Sequence, residues 1–357
     1  MIKESVLVAM SGGVDSAVTA LLLKEQGYAC MGATMKLTPP AATLEKITKS
    51  CCNPEEIELA RQVAELLGIP HTVIDASDAF CRHVVDYFVQ TYLAGGTPNP
   101  CVECNRTMKF GHLLQAATDL GCKKMATGHY ANIKKDPGGR YLLCGAKDPS
   151  KDQTYVLWSL SQEQLARTIF PLGDLQKSEV REIALSHGFS NAKKQDSQDI
   201  CFVPDGDYVA FMERYLKTNF PGGNFVDAGG KILGTHRGMI HYTIGQRKGL
   251  GIAFGEPTYV IAKDAATNTV TLGSNNALFH KELTAHNVNL IAMEQIDAPI
   301  RVQAKIRYRA TPAWATVEQT DKTSIYLRFD EPQRAISPGQ SVVLYDGDVV
   351  IGGGIID

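Results

Sequence analysis

No apolar run in the sequence approaches membrane-spanning length, and no basic stretch with a long hydrophobic segment precedes Ser11. A transmembrane helix and a secretory leader are therefore not expected, and the chain reads as cytoplasmic with no membrane partner. An excess of charge of one sign is also missing. Lys and Arg number 36 against 38 Asp and Glu, a net charge of -2, so any nucleic-acid contact has to rest on local basic patches. Cysteine is absent after Cys201, although the chain holds nine. An odd number crowded into one part does not suggest a secreted disulfide framework and points to chemistry or metal. With 44% hydrophobic and 21% charged residues, the composition is that of an ordinary globular protein. At 357 residues it is too long for one core, so two or three domains are expected.

What is present begins with a strand-like run, Val6-Leu7-Val8-Ala9-Met10. It empties directly into Ser11-Gly12-Gly13-Val14-Asp15-Ser16 and a helical stretch over 17–26. Adjacent glycines let backbone approach an anion, hydroxyls offer hydrogen bonds to phosphate oxygens, and the helix aims its positive end into the same space. The loop lacks the Gly-Lys-Ser/Thr ending of a P-loop and the third glycine of a dinucleotide fingerprint. It resembles the SGGxDS loop of the ATP pyrophosphatases, which hold ATP for attack at the α-phosphate.

From residue 4 to about 127, short β-rich runs (5–10, 30–36, 71–76, 123–127) alternate with longer helical ones. That pattern predicts an α/β fold with a doubly wound parallel sheet. One helix is signposted by Asn53 as N-cap, Pro54, Glu55 and Glu56 in its first turn, Ile57, Leu59, Val63, Leu66 and Leu67 as its apolar positions, and Gly68 as its stop. Asp136-Pro137-Gly138-Gly139 predicts a hairpin turn, and further helices are expected over 153–160, 161–168 and 176–187. After about 205 the texture turns β-rich, with a helix over 208–217 and a turn over 264–268. The expected division is a catalytic α/β domain over 1–205, a small central β-rich domain over 206–275, and a C-terminal β-barrel over 276–357. The polar stretch 41–49 has no clear element.

Thr97-Pro98-Asn99-Pro100-Cys101-Val102-Glu103-Cys104-Asn105 predicts an irregular loop whose CxxC could bridge or share a metal. Structural zinc would want a second such pair, and none is present. A second polar loop, Lys193-Lys194-Gln195-Asp196-Ser197-Gln198-Asp199-Ile200-Cys201-Phe202, ends in a cysteine whose thiolate the two lysines could favour. A lone cysteine is more often an inert thiol. The run Lys305-Ile306-Arg307-Tyr308-Arg309 reads as a strand with three cations on one face, suited to a phosphate backbone but also to plain solvation. Gln246-Arg247-Lys248-Gly249 is a basic loop, Tyr155 and Trp158 read as helical core, and the vicinal pair Cys51-Cys52 has no settled role.

These segments together identify a family. SGGVDS, TPNPCVECN, TGHY (127–130), KDQTY (151–155), DSQDICF (196–202), GQRKGLG (245–251), RYR (307–309) and SPGQ (337–340) resemble, in order and over nearly the whole length, the tRNA-specific 2-thiouridylases. The resemblance implies a three-domain enzyme that takes ATP with Mg2+ and a tRNA bearing uridine 34, from the Lys, Glu and Gln acceptors. It adenylates O2 of that base and replaces the oxygen with sulfur. Cys201 would carry the sulfur as a persulfide, supplied by a cysteine desulfurase and a sulfur relay protein, and Cys104 would release it by closing a Cys104/Cys201 disulfide. ATP would be held by Ala9, Met10, Ser11, Gly12, Gly13, Val14, Asp15, Ser16, Met35 and Gly128. Asn99, Pro100 and Cys101 would face the target base, and His129, Lys151, Asp152, Gln153, Arg307, Tyr308 and Gln340 would contact tRNA.

One position departs from the pattern, since well-known members have Asp where this chain has Cys101. Three thiols, Cys101, Cys104 and Cys201, could then ligate a [4Fe-4S] cluster, an alternative to the persulfide route that the residues leave open. Two other readings share parts of the signal. An amidating synthetase would use the same glycine loop but has no use for two cysteine loops, and an RNA-binding protein working through its barrel would not need the glycine loop intact.

Overall fold

The structure, a computed structural model, describes residues 3–37, 54–192, 194, 200–252 and 255–357. Asn53, Lys193, Cys51-Cys52, the stretch 41–49 and the 195–199 part of the second cysteine loop lie outside the described residues. The chain divides into two compact units, one of Met1–Val84, Cys101–Gly206 and Gly347–Ile351, the other of Val85–Pro100, Asp207–Asp346 and Gly352–Asp357.

The first unit is built on a parallel sheet. Its strands are β1 (Ser5–Ala9), β2 (Ala29–Lys36), β3 (His71–Asp75) and β4 (Lys124–Ala126), with the hairpin β5 (Asn132–Lys135) and β6 (Tyr141–Cys144) preceding β7 (Thr168–Ile169). The sheet order β3-β2-β1-β4-β7 reverses direction between β1 and β4, as expected for a doubly wound fold. Val6, Leu7 and Val8 are fully buried because β1 is central and covered on both faces. Helix α1 (Val14–Glu25) follows the loop and is buried along most of its length. In α2 (Pro54–Leu66) the buried stripe is Ala60, Val63 and Ala64, continued by Leu67. Leu66, expected in the core, is 61% exposed. Its 100° step from Leu67 carries it off the stripe that 60, 63, 64 and 67 share. The 136–139 turn joins β5 to β6 as expected. The helices anticipated over 153–168 are shorter. A 3-10 turn covers Thr154–Val156 and an α-helix Gln162–Ala166, and the next residues form the edge strand β7. Tyr155 and Trp158 are buried core residues.

In the second unit, β8 (Gly223–Val226), β9 (Ile232–His236), β10 (Tyr259–Asp264) and β11 (Thr269–Gly273) form a sheet of order β10-β11-β8-β9, packed around Phe225, Tyr242, Val260 and Leu272. The strands β12 (Phe279–Leu290), β13 (Ile300–Lys305), β14 (Ala313–Asp321), β15 (Ser324–Arg334), β16 (Ser341–Asp346) and β17 (Val349–Ile356) run in the order β12-β15-β14-β13-β16-β17. Pairing of β12 with β17 closes them into a six-stranded barrel. Alternation drives this closure. Val302, Ala304, Ala315, Val317, Ile325 and Leu327 are all at most 2% exposed, while their strand neighbours Arg301 and Trp314 face out.

The helix Asp86–Leu93 comes from the amino-terminal third of the chain yet belongs to this second unit. Its Tyr92 stacks on Tyr208 at 4.6 Å, Phe88 meets Phe211 edge-on at 6.5 Å, and the Tyr215 hydroxyl donates to Asp86 at 2.8 Å. Each such aromatic contact adds about 0.5–1.5 kcal/mol to the area it buries.

The expected strand over 305–309 is not formed. β13 ends at Lys305, and the following residues turn because the Arg307 guanidinium folds back to donate to the carbonyls of Arg334, at 2.6 Å, and Ala335. Three cations on one strand face therefore do not exist.

Candidate active site

The loop between β1 and α1 lies at the carboxyl ends of parallel strands, beside the point where strand order reverses. Open α/β sheets receive ligands there. Gly12 has φ +72°, and a Cβ on it would fall 2.4 Å from the carbonyl oxygen of Glu56, so a side chain cannot enter. Ser16 fixes the loop from within, accepting from the Ser11 N–H at 3.2 Å and donating to the Gly13 carbonyl at 3.0 Å. Gly13 caps α1 without any side-chain hydrogen bond, which keeps the helix's first N–H groups for an anion.

The other residues expected around a nucleotide converge on the same edge. Ala9 ends β1 and Met10 follows it, the Met10 carbonyl accepting from Thr34 Oγ1 at 2.7 Å. Met35 lies near the end of β2. Gly128 follows β4, and a Cβ there would stand 2.9 Å from the Asp15 carbonyl carbon and 3.1 Å from the Ser16 nitrogen, so this approach too needs glycine. Asp15, with Val14 on the first turn of α1, has specific partners. Both its oxygens accept from Lys177 Nζ, at 2.7 and 2.8 Å, and one accepts from the Tyr130 hydroxyl at 2.8 Å. Lys177 is 7% exposed and its ammonium stands 5.6 Å from the Tyr130 ring centroid. Neither Lys177 nor Asn191, whose Nδ2 donates to the Gly12 carbonyl at 3.0 Å, was singled out from the sequence. Asn191 is buried, and its Oδ1 has no partner among the described residues. Lys177 had one local signal, its place at the first turn of a helix after a polar cap, and nothing that pointed to Asp15.

The CxxC is helical, which corrects the expected loop. Thr97, Pro98 and Asn99 are irregular, but Pro100–Glu103 forms a helical turn and Cys104–Leu113 continues as a π-helix. Proline at a helix's first position is the physical reason, since its fixed φ suits that place and its missing N–H costs nothing there. Wide π-type turns recur at functional sites. Cys101 is exposed, whereas Cys104 and Cys201 are half-buried. Asn99 and Pro100 belong to the second unit and Cys101 to the first. No disulfide links the seven described cysteines, and no three Cys, His, Asp or Glu side chains among the described residues gather as a metal site. Among the described residues the three-thiol cradle expected for a [4Fe-4S] cluster is therefore not assembled. Cys201 is anchored by its neighbour Phe202, buried against Phe80 with ring centroids 5.7 Å apart. The Lys194 ammonium is bound to Glu56 at 2.6 Å.

The residues expected to meet tRNA fall into two kinds. His129 is buried, its Nδ1 2.7 Å from Thr127 Oγ1 and its Nε2 3.3 Å from Lys109 Nζ; burial, then the Lys109 charge, hold its imidazole well below the usual range. It is neutral near pH 7. Gln153 clasps Tyr130, accepting its N–H at 2.9 Å while its own N–H donates to the Tyr130 carbonyl at 3.0 Å. Asp152 accepts from the Ala146 and Thr154 N–H groups at 2.9 and 3.1 Å. Gln340 donates to the carbonyls of Thr97 and Pro98. In contrast, Lys151 is half-buried and Tyr308 is 39% exposed, with Lys305 Nζ 6.0 Å from its ring centroid.

Among the described residues no helix is long and apolar enough to cross a membrane. Three family models match the chain, the tRNA methyl transferase HUP domain over residues 4–205, the tRNA methyl transferase PRC-barrel domain over 209–274 and the aminomethyltransferase beta-barrel domain over 280–356. The tRNA-specific 2-thiouridylase MnmA of Clostridioides difficile is 50% identical over 356 residues, covering 99% of this chain and 98% of that protein. Proteins of the same name are 51% identical in Heliobacterium modesticaldum, covering 99% of this chain and 92% of that one, and 49% identical in Acetivibrio thermocellus, covering both chains completely.

Proposed function

This chain belongs to the tRNA-specific 2-thiouridylase family, and on that premise we propose that it converts wobble uridine 34 of tRNA to 2-thiouridine at the expense of ATP. The observation that carries the reading is that one unit holds both a phosphate loop at the switch point of a parallel sheet and the two half-buried thiols Cys104 and Cys201. An amidating synthetase accounts for the first and leaves the second idle.

The chemistry follows from the electrophile. O2 of the base attacks the α-phosphorus of ATP, pyrophosphate leaves, and the former carbonyl oxygen becomes part of a good leaving group. The terminal sulfur of a Cys201 persulfide then adds to C2 and AMP departs with the old oxygen. The Cys104 thiolate attacks Cys201 Sγ, the S–S bond breaks with sulfur left on the base, and a Cys104–Cys201 disulfide forms. Thiols of the desulfurase and relay system reduce and recharge it. The loop 9–16 with Met35 and Gly128 holds the nucleotide, the α1 N-terminus facing its phosphates. Asp15 is already bonded to Lys177 and Tyr130, so Mg2+ would arrive held by the phosphates and water. Asn99, Pro100 and Cys101 face the base, while His129, Lys151, Asp152, Gln153, Arg307, Tyr308 and Gln340 serve the tRNA, drawn from the Lys, Glu and Gln acceptors of the cytoplasm. The proposed domains are 1–205, 206–275 and 276–357.

Cys201→Ser tests this reading. Thionucleoside formation should vanish while tRNA binding and tRNA-dependent pyrophosphate release persist. Undiminished 2-thiouridine in that variant would overturn the assignment.

A further inference from the structure

The segment leading to Cys101 is tied down by hydrogen bonds from three places in the second unit. The Gly96 N–H donates to the Thr91 carbonyl at 2.9 Å, and the Thr97 N–H donates to the Pro338 carbonyl at 2.7 Å. Gln340 Nε2 donates to the carbonyls of Thr97 at 2.9 Å and Pro98 at 3.2 Å, and Lys263 Nζ lies 3.4 Å from the Gly96 carbonyl. The packing leaves no room for a side chain at either glycine of this contact. A Cβ on Gly96 would come within 2.9 Å of Thr91 Cγ2, and one on Gly339, at φ +84°, within 2.7 Å of the same methyl and 3.1 Å of the Thr97 nitrogen.

The turn Ser337-Pro338-Gly339-Gln340 is itself rigid. Ser337 is 4% exposed and donates to the Ala335 carbonyl at 3.0 Å. The Gly339 N–H donates to the Ile356 carbonyl at 2.9 Å, and the Ile356 N–H to the Gln340 carbonyl at 2.8 Å, so the closing strand β17 holds the turn from behind. Both Gln340 amide protons are thus committed to the segment, and Oε1 has no partner among the described residues.

We propose that this barrel turn is a clamp for the base-facing segment Thr97–Asn99, with Gln340 a positioning residue that acts through the Thr97 and Pro98 carbonyls. The proposal rests on the reading that this segment faces the target base. Loss of the clamp lets Asn99 drift, and a misplacement of about 1 Å at a reacting group slows chemistry by up to roughly a hundredfold. The C-terminal barrel would then be needed for the chemical step as well as for holding RNA.

Gln340→Glu separates the roles, because it keeps an acceptor oxygen and loses both donors, placing a carboxylate against two carbonyls. Gln340→Ala loses donors and acceptor alike. For both variants we expect single-turnover thiolation at saturating tRNA to slow by roughly tenfold or more. Without RNA, amide exchange at Thr97 should be about fivefold faster, the effect of loosening one hydrogen bond. If Gln340→Glu keeps the wild-type rate while Gln340→Ala loses it, Oε1 serves the RNA alone and the clamp is overturned. Unchanged Thr97 exchange in both variants, or exchange accelerated across the whole barrel, also overturns it. The exchange measurement uses the protein without tRNA, so a failed functional reading shows separately, as absent thiolation by the unaltered protein.

Discussion

Replacing Lys177 by Met should damage folding and nucleotide binding together, and the structure sets the size of each effect. The ammonium bonds both Asp15 oxygens, with side chains 9% and 31% exposed. Breaking a buried pair by removing one partner costs about 3–5 kcal/mol. Asp15 retains part of its hydration and the Tyr130 hydroxyl bond, which moves the expected loss to about 2–3 kcal/mol, or roughly 5–10 °C in Tm. Asp15→Ala should cost a similar amount by stranding the buried ammonium, so its loss of ATP-dependent thiolation would come with a weakened fold. Asp15→Asn combined with Lys177→Met removes both charges, and its cost should fall short of the sum of the singles by about 2 kcal/mol. The same pair sits on the first turn of α1, where ATP phosphates are expected. Lys177→Met leaves a bare carboxylate against them and should weaken ATP at least tenfold, and Asp15→Asn in that background should recover part of the loss. Urea unfolding and ATP-dependent pyrophosphate exchange measure the two arms. Additive single-mutant costs, within about 0.5 kcal/mol, would refute the coupling, and unchanged ATP affinity in Lys177→Met would refute the shielding role.

Anaerobic Cys101→Ala protein is expected to carry no iron and to keep activity with a desulfurase relay, as is Cys101→Asp. Iron near four per chain in the unaltered protein, lost with activity in the alanine variant, would instead require the cluster. Burial lowers the Lys263 ammonium to about 8. Between there and its ordinary value the unfolded chain binds more protons, so stability should rise with pH from about 8 upward, a rise that Lys263→Met removes. Urea midpoints at pH 7.5 and 9.5 check it, and the idea fails if the two proteins respond alike. Arg307→Ala should lose about 1–3 kcal/mol by freeing the Arg334 and Ala335 carbonyls. If its charge also meets RNA, the slope of log affinity against log salt falls by about 0.7–0.9, and an unchanged slope would leave it a purely internal brace.

The parallel sheet, the hairpins and the closing barrel were legible because each rests on local pattern. Val6 to Val8 form a continuous apolar run, Asp264 to Asn268 are turn residues, and alternation marks β13 and β14. The glycine loop was legible for the same reason, its chemistry lying within six consecutive residues. Lys177 was not, since its partner Asp15 is 162 positions away and only the fold joins them. The two-residue strand β7 was lost inside a helical pattern, being too short to show a period of its own. Arg307 read as a strand residue because alternation was visible, whereas the carbonyls that bend it back come from β15 and the residue after it. Gln340 was found by resemblance, but its two acceptors lie 243 and 242 residues earlier.

That separation has a consequence for how the protein is made. Helix Asp86–Leu93 and the Thr97–Asn99 segment leave the ribosome early, yet Tyr208 and Phe211, against which Tyr92 and Phe88 pack, and the turn Pro338–Gln340 are translated much later. At about 5–20 residues per second, the Thr97 carbonyl waits roughly 10–50 s for Gln340 to be synthesised. Until then two aromatic rings and an unpaired loop are exposed to chaperones and to neighbouring nascent chains. A message truncated anywhere before codon 340 therefore yields a chain whose Thr97 and Pro98 carbonyls lack their Gln340 donor, even when every cysteine and every residue of the glycine loop has been translated.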